Sequence, residues 1–120
     1  MKQRGIRGAI TVENNCEDSL EKATVELYSN LVELNNFETQ DIAYILLTMT
    51  KDLTCAYPAK FLRKNFELKN VPLMCIQEQD IENSLKMCLR ALVVINTTKT
   101  QEEIKHVYLR GAQILRPDLK

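Results

Sequence analysis

Near its N-terminus the chain alternates. Ile6, Gly8, Ile10 and Val12 fall on one side of a period of two, and Arg7, Ala9 and Thr11 on the other. That period predicts a strand over residues 4–12 with one core face and one polar face. The rhythm then changes. Leu20, Ala23, Leu27, Leu31 and Leu34 recur at steps of three and four, the spacing of an amphipathic helix. Asn15, three residues before Asp18, suggests capping at its start, and Asn35-Asn36 a stop at its end.

Residues 42–49 are apolar almost throughout, which suits a strand buried on both faces or a short buried helix, since periodicity does not separate the two. Residues 52–57 read as a loop, and Pro58 is placed to open a short helix reaching about Asn65. A strand is predicted over 71–77, with Pro72 near its start where a missing N–H does least harm. Residues 79–86 are polar and irregular, and 87–95 form the strongest strand pattern. Thr100-Gln-Glu-Glu is a capping box for a turn of helix. A final strand is predicted over 107–115, bent at Gly111, with Pro117 ending regular structure. The order strand, helix, strand, short helix, strand, strand, strand predicts one α+β, or mixed α/β, domain over residues 1–120, built on a mixed sheet of about five strands with one long helix. One helix covers only one sheet face, and oligomerisation is the simplest cover for the other.

Composition narrows the function. Sixteen Lys and Arg balance sixteen Asp and Glu, so no global charge draws the chain to nucleic acid or membrane. The apolar runs fall short of the ~20 residues of a membrane span. No signal-peptide pattern follows the first residues, and a cytoplasmic protein is expected. Cysteines at 16, 55, 75 and 88 form no Cys-x-x-Cys pair, and His106 is the single histidine. No metal site is expected, and the cysteines read as reduced thiols, mostly small core residues. Gly5-Ile-Arg-Gly8 lies inside a strand pattern and is no phosphate loop. No cofactor fingerprint occurs.

Arg90 is the most informative residue, because it stands in the middle of an apolar strand. A guanidinium there calls for an anionic partner, either a structural salt bridge or a ligand. Arg7 interrupts the first strand in the same way. Glu78 follows the third strand, three residues after Cys75, and Tyr108 lies in the last. Each alone has an ordinary reading as solvated or half-buried side chain. Lys60, Arg63 and Lys64 within one helical turn read first as a charged helix face. Together these groups suit holding a small polyanion better than moving protons or electrons.

Several strings carry a resemblance: Arg-Gly-Ile-Arg-Gly-Ala-Ile-Thr-Val-Glu at 4–13, Tyr-Pro-Ala-Lys at 57–60, Val-Pro-Leu-Met-Cys-Ile-Gln-Glu at 71–78, Lys-Met-Cys-Leu-Arg at 86–90, His-Val-Tyr-Leu at 106–109 and Leu-Arg-Pro-Asp-Leu at 115–119. Over nearly its whole length the chain resembles the monofunctional chorismate mutases of the trimeric, non-helical class (AroH class). The resemblance implies a homotrimer forming a pseudo-α/β barrel, with sites between subunits. It implies an isomerase turning chorismate into prephenate in phenylalanine and tyrosine biosynthesis, a branch of the shikimate pathway, with no cofactor. Arg90 would donate to the breaking ether oxygen, Arg7 and Tyr108 would hold the side-chain carboxylate, and Glu78 would accept from the ring hydroxyl with Cys75 beside it. Tyr57, Ala59, Lys60, Arg63, Leu73, Met74 and Leu115 would line the pocket, the 57–63 and 115–116 segments coming from a neighbour, and Arg116 would add positive potential. Position 57 is tyrosine where the family leads one to expect phenylalanine, and some relatives carry a longer tail beyond the position of Lys120. Two rival readings stay open: a different enzyme, such as a trimeric deaminase or a thiol enzyme pairing Cys75 with His106, and a non-catalytic binder of carboxylate metabolites in the same cleft.

Overall fold

The computed structural model describes residues 1–117; the last part of the Leu-Arg-Pro-Asp-Leu string lies outside the described residues. Five strands and two α-helices follow one another as β1 (Lys2–Thr11), α1 (Glu17–Asn35), β2 (Ile42–Met49), α2 (Pro58–Asn65), β3 (Leu73–Gln77), β4 (Cys88–Thr97) and β5 (Val107–Leu109). Short 3-10 turns occupy Thr39–Asp41, Gln101–Glu103 and Arg110–Leu115. The element order matches that read from the sequence. The strands form one mixed sheet in the order β3-β2-β4-β1-β5. β4 runs antiparallel to β1 and β2, while β2/β3 and β1/β5 are parallel pairs.

Both helices cover one face. Leu27, Tyr28 and Leu31 of α1 and Leu62 of α2 meet Ile45, Leu47, Leu89 and Ala91 of the sheet. Ile6, Ile10 and Val12 join this core, as their alternation requires. Gly8 permits the close approach of α1: a Cβ there would lie 3.0 Å from Leu27 and 3.1 Å from Leu31. α2 begins at Pro58, whose missing N–H costs nothing in the first turn. The Thr100/Glu103 capping box forms as expected.

Several expectations are corrected. Cys16, not Asn15, is the N-cap residue of α1, and its side chain caps nothing. Asn15 instead ties down the loop before α2, donating to Thr54 Oγ1 and accepting the Thr54 N–H, both at 2.9 Å. Leu34 is 50% exposed, because the buried stripe of α1 runs through Thr24, Tyr28 and Asn35 instead. Asn36 does stop α1, with φ +52° and its N–H donating to Val32 O. β2 buries Ile42, Ile45 and Leu47 but leaves its other face partly open, so it is not buried on both sides. The last strand ends at Leu109. Arg110 takes φ +52°, and Arg110–Leu115 winds into a 3-10 turn rather than continuing the strand through Gly111. Gly111 N–H donates to Thr11 Oγ1, and a Cβ on it would come within 2.9 Å of Thr11 Cγ2. Of the four cysteines only Cys88 is fully buried, and Cys16 is exposed.

Candidate active site

Strand register builds the site on the face without helices. Ile76 pairs with Thr48, Thr48 with Arg90, Arg90 with Ala9, and Ala9 with Tyr108. Directly paired residues point to the same side, so these five form one row across all five strands. Arg7, two residues before Ala9, and Glu78, two beyond Ile76, share that side. A cavity of about 260 Å³ lies along the row, lined by Arg7, Ala9, Thr48, Ile76, Arg90 and Tyr108 with neighbouring apolar groups. Ala9 is 1% exposed and keeps the floor low between Arg90 and Tyr108.

The polar groups here are unevenly satisfied. Arg90 Nε stands 3.0 Å from Glu78 Oε1, with side-chain exposures of 31% and 14%. The contact is an ion pair out of line for a hydrogen bond, so the guanidinium is charge-paired without an aligned bond from its Nε–H. Thr48 Oγ1 donates to the same Glu78 oxygen at 3.0 Å. The Tyr108 hydroxyl is buried without a partner. Leaving such a group unpaired costs roughly 1–3 kcal/mol, and native proteins seldom do so without a reason. An orphaned hydroxyl and a guanidinium beside the Arg7 side chain suit an acceptor-rich anion. The Arg7 N–H donates to His106 Nδ1 at 2.9 Å. Burial, with the nearby Arg7 and Arg116 cations, holds His106 below the usual imidazole range. Burial pushes the Cys88 thiol up to about 11 despite Arg90, so it is no nucleophile at neutral pH.

The sequence candidates divide between the two faces. Arg7, Arg90 and Tyr108 line one cavity, and Glu78 joins them through Arg90. Leu115 packs with Tyr108 against Ala9, Cys88 and Ala112, and Arg116 is near His106. Cys75 does not stand beside Glu78. Three residues along a strand change face, and Cys75 pairs with Leu47 and packs on the helix-side core. It lines a second groove, about 330 Å³, with Tyr57 and Pro58. Leu73 and Ala59 pack on the same core, whereas Met74 is 61% exposed on the open face. Lys60 pairs with Glu17 at 2.6 Å, and Arg63 is exposed on α2; neither lines the Arg90 cavity. β3 and β5 are opposite sheet edges, about 19 Å apart at four strand spacings, so Cys75 cannot pair with His106 within one chain.

A larger hollow, about 480 Å³, opens on the 79–86 segment beside Glu78. Its acidic groups Asp52, Glu78, Asp80 and Glu82 outnumber Lys51 and Lys86, which makes it a poor anion site. Among the described residues no cluster of His, Cys, Asp and Glu could hold a metal ion, and no helix is long and apolar enough to cross a membrane. Sequence reasoning missed Thr48 and Ala9. Thr48 leaves a signal, a hydroxyl inside an apolar strand, and Ala9 a weaker one, the smallest side chain on the polar side of β1.

Comparison with known proteins shows the family. The family model for chorismate mutase type I matches residues 3–119. The chain is 40% identical over 119 residues to the chorismate mutase AroH of Bacillus subtilis (strain 168), covering 99% of this chain and 94% of that one. It is 41% identical over 118 residues to the chorismate mutase AroH of Thermus thermophilus, covering 98% and 96%. The solved chorismate mutase from Clostridium thermocellum superposes with a TM-score of 0.88 at 41% identity, over 92% of this chain and 97% of that one.

Proposed function

The chain belongs to the chorismate mutase type I family and is an isomerase of that kind, and from this premise we propose how its open sheet face carries out the rearrangement of chorismate to prephenate. The reaction breaks one carbon–oxygen bond and forms one carbon–carbon bond within a single dianion. It needs no proton transfer and no covalent intermediate. The protein has two tasks: to hold the substrate in its compact reactive conformer, and to stabilise the negative charge that grows on the ether oxygen.

The observation that carries this reading is the buried, unpartnered Tyr108 hydroxyl, which lines one cavity with Arg7 and with Arg90, itself ion-paired to Glu78. Arg90 donates to the ether oxygen. Arg7 and Tyr108 take the side-chain carboxylate, for which a planar fork and a hydroxyl are suited. Glu78 keeps Arg90 aimed and accepts from the ring hydroxyl. Cys75, turned to the other face, is given no side-chain contact in this arrangement.

The assembly we propose is a homotrimer acting in the cytoplasm, with one 1–120 domain per subunit. A cavity of about 260 Å³ is at the small end for a metabolite and supplies only part of a wall. Exposed Tyr44, Met74 and Ile76 on the same face want cover. A neighbouring subunit presenting Tyr57, Lys60 and Arg63 would supply both the cover and the cations for the second carboxylate. Chorismate disappearance, followed by ultraviolet absorbance with purified protein and no added cofactor or metal, tests the reading. Conversion to prephenate is the expected result; thermal stabilisation by chorismate without turnover would reduce the site to a binding role.

A further inference from the structure

Thr48 has no place among the anion-holding groups, yet it stands at the centre of the row that carries them. It pairs with Ile76 on one side and Arg90 on the other. Its hydroxyl donates to Glu78 Oε1 at 3.0 Å, and the same oxygen lies 3.0 Å from Arg90 Nε. Glu78 itself follows β3 and has no strand partner to fix it. A carboxylate on three rotatable bonds beyond a strand end has many rotamers, of which few put Oε1 on Arg90. The Thr48 side chain is β-branched and stiff in its strand, so its hydroxyl is a fixed peg.

We propose that Thr48 is a positioning residue: by donating to Glu78 Oε1 it locks the carboxylate against Arg90, and so aims the guanidinium at the reacting oxygen. The inference rests on the site roles given above to Glu78 and Arg90. Thr48 does not touch the reacting atoms. It acts only through Glu78, and its contribution therefore falls on the chemical step and vanishes when Glu78 is gone.

The test is a set of steady-state measurements on chorismate with the full chain. Thr48→Val keeps the shape and the strand preference and removes the donor. It is expected to lower kcat about ten-fold, the effect of one hydrogen bond to a charged group, with KM within two-fold. Thr48→Ser restores the donor and is expected to stay within about three-fold of wild type. In a Glu78→Ala background, Thr48→Val should change kcat less than two-fold, because the pair is coupled. An unchanged kcat in Thr48→Val, a loss confined to KM, or the same penalty with and without Glu78 would each overturn the proposal. A wild-type protein without turnover is a different failure: it removes the underlying site reading, and is seen before any Thr48 variant is made.

Discussion

The two faces of the sheet are built from the same strands and answer different demands. On the helix side Ile6, Ile10, Ile45, Leu47, Leu89, Val93 and Ile95 are at most 2% exposed, and Gly8 lets α1 press down on them. On the other side the row Ile76, Thr48, Arg90, Ala9, Tyr108 mixes an exposed apolar group, a half-buried arginine ion-paired with Glu78 and an unpartnered hydroxyl. By the rules of a stable core the second face is poorly made: buried polar groups without partners cost free energy. The packed face offsets that cost. Because alternate residues of a strand point to opposite sides, one face can be tuned for stability while the other keeps groups whose partners arrive with a ligand.

The sharpest way to break this division is to alter one residue on each face. Arg90→Lys keeps the charge and loses the planar fork. Its kcat is expected to fall about 100- to 1000-fold, the loss seen when a preorganised donor is removed, with the thermal midpoint little changed. Near wild-type turnover in steady-state assays would sink the role given to Arg90. Leu31→Ala is the opposite experiment. Leu31 is fully buried over Gly8, and its truncation is expected to cost about 2–5 kcal/mol by denaturant titration while kcat per folded protein holds. A fall in kcat comparable to that of Arg90→Lys would show that the faces are not independent.

The helix-side face was the legible one. Alternation along β1 and the steps of three and four in α1 each report a local period, and Pro58 marks the start of α2 by its own chemistry. Where the reading failed, long-range contacts decided. Asn35, read as a mere helix stop, is 1% exposed and clamps the approach to β5: its amide donates to Leu31 O and Lys105 O and accepts from the Lys105 N–H. Ile114 and Leu115 look like strand residues, but the positive φ of Arg110 turns the chain before them. On the open face Arg7, Arg90 and Tyr108 were visible as polar interruptions of apolar strands. A recognised string ties Cys75 to Glu78, while a spacing of three turns Cys75 to the helix-side face. The row itself was invisible, since which residue of β2 meets Arg90 depends on a register between segments some forty residues apart.

A smaller effect sharpens the contrast. Ala9 belongs to the open face, yet it is as buried as the helix-side core, between Arg90 and Tyr108. Ala9→Val adds two methyl groups to the cavity floor. Overpacking of this kind costs about 1–3 kcal/mol. If the cavity holds substrate, most of that cost is expected as a raised KM, about ten-fold, with the unfolding midpoint moving by a few degrees. A change in stability with unaltered KM would mean that Ala9 is core on both counts and that the cavity is not the substrate's.

The smallest effect joins the faces through His106, whose Nδ1 accepts the Arg7 N–H. Burial, then the Arg7 and Arg116 cations, lower its folded pKa below the unfolded value near 6.5. In this window the unfolded chain binds the proton more readily than the folded one, so stability is full above about pH 6.5 and falls as pH drops through the folded pKa. Protonation also removes the lone pair that holds the Arg7 backbone, at the end of the cavity proposed to take the side-chain carboxylate. Below pH 6.5 the wild type is therefore expected to lose thermal stability and to show a rising KM together. His106→Asn can present a side-chain oxygen to the same N–H but does not titrate. Its stability and KM should lack this component of the pH dependence, measured as unfolding midpoints and Michaelis curves from pH 5 to 8. A variant that keeps the full wild-type dependence would assign it to the carboxylates and leave Arg7 held by its strand pairing with β4 alone.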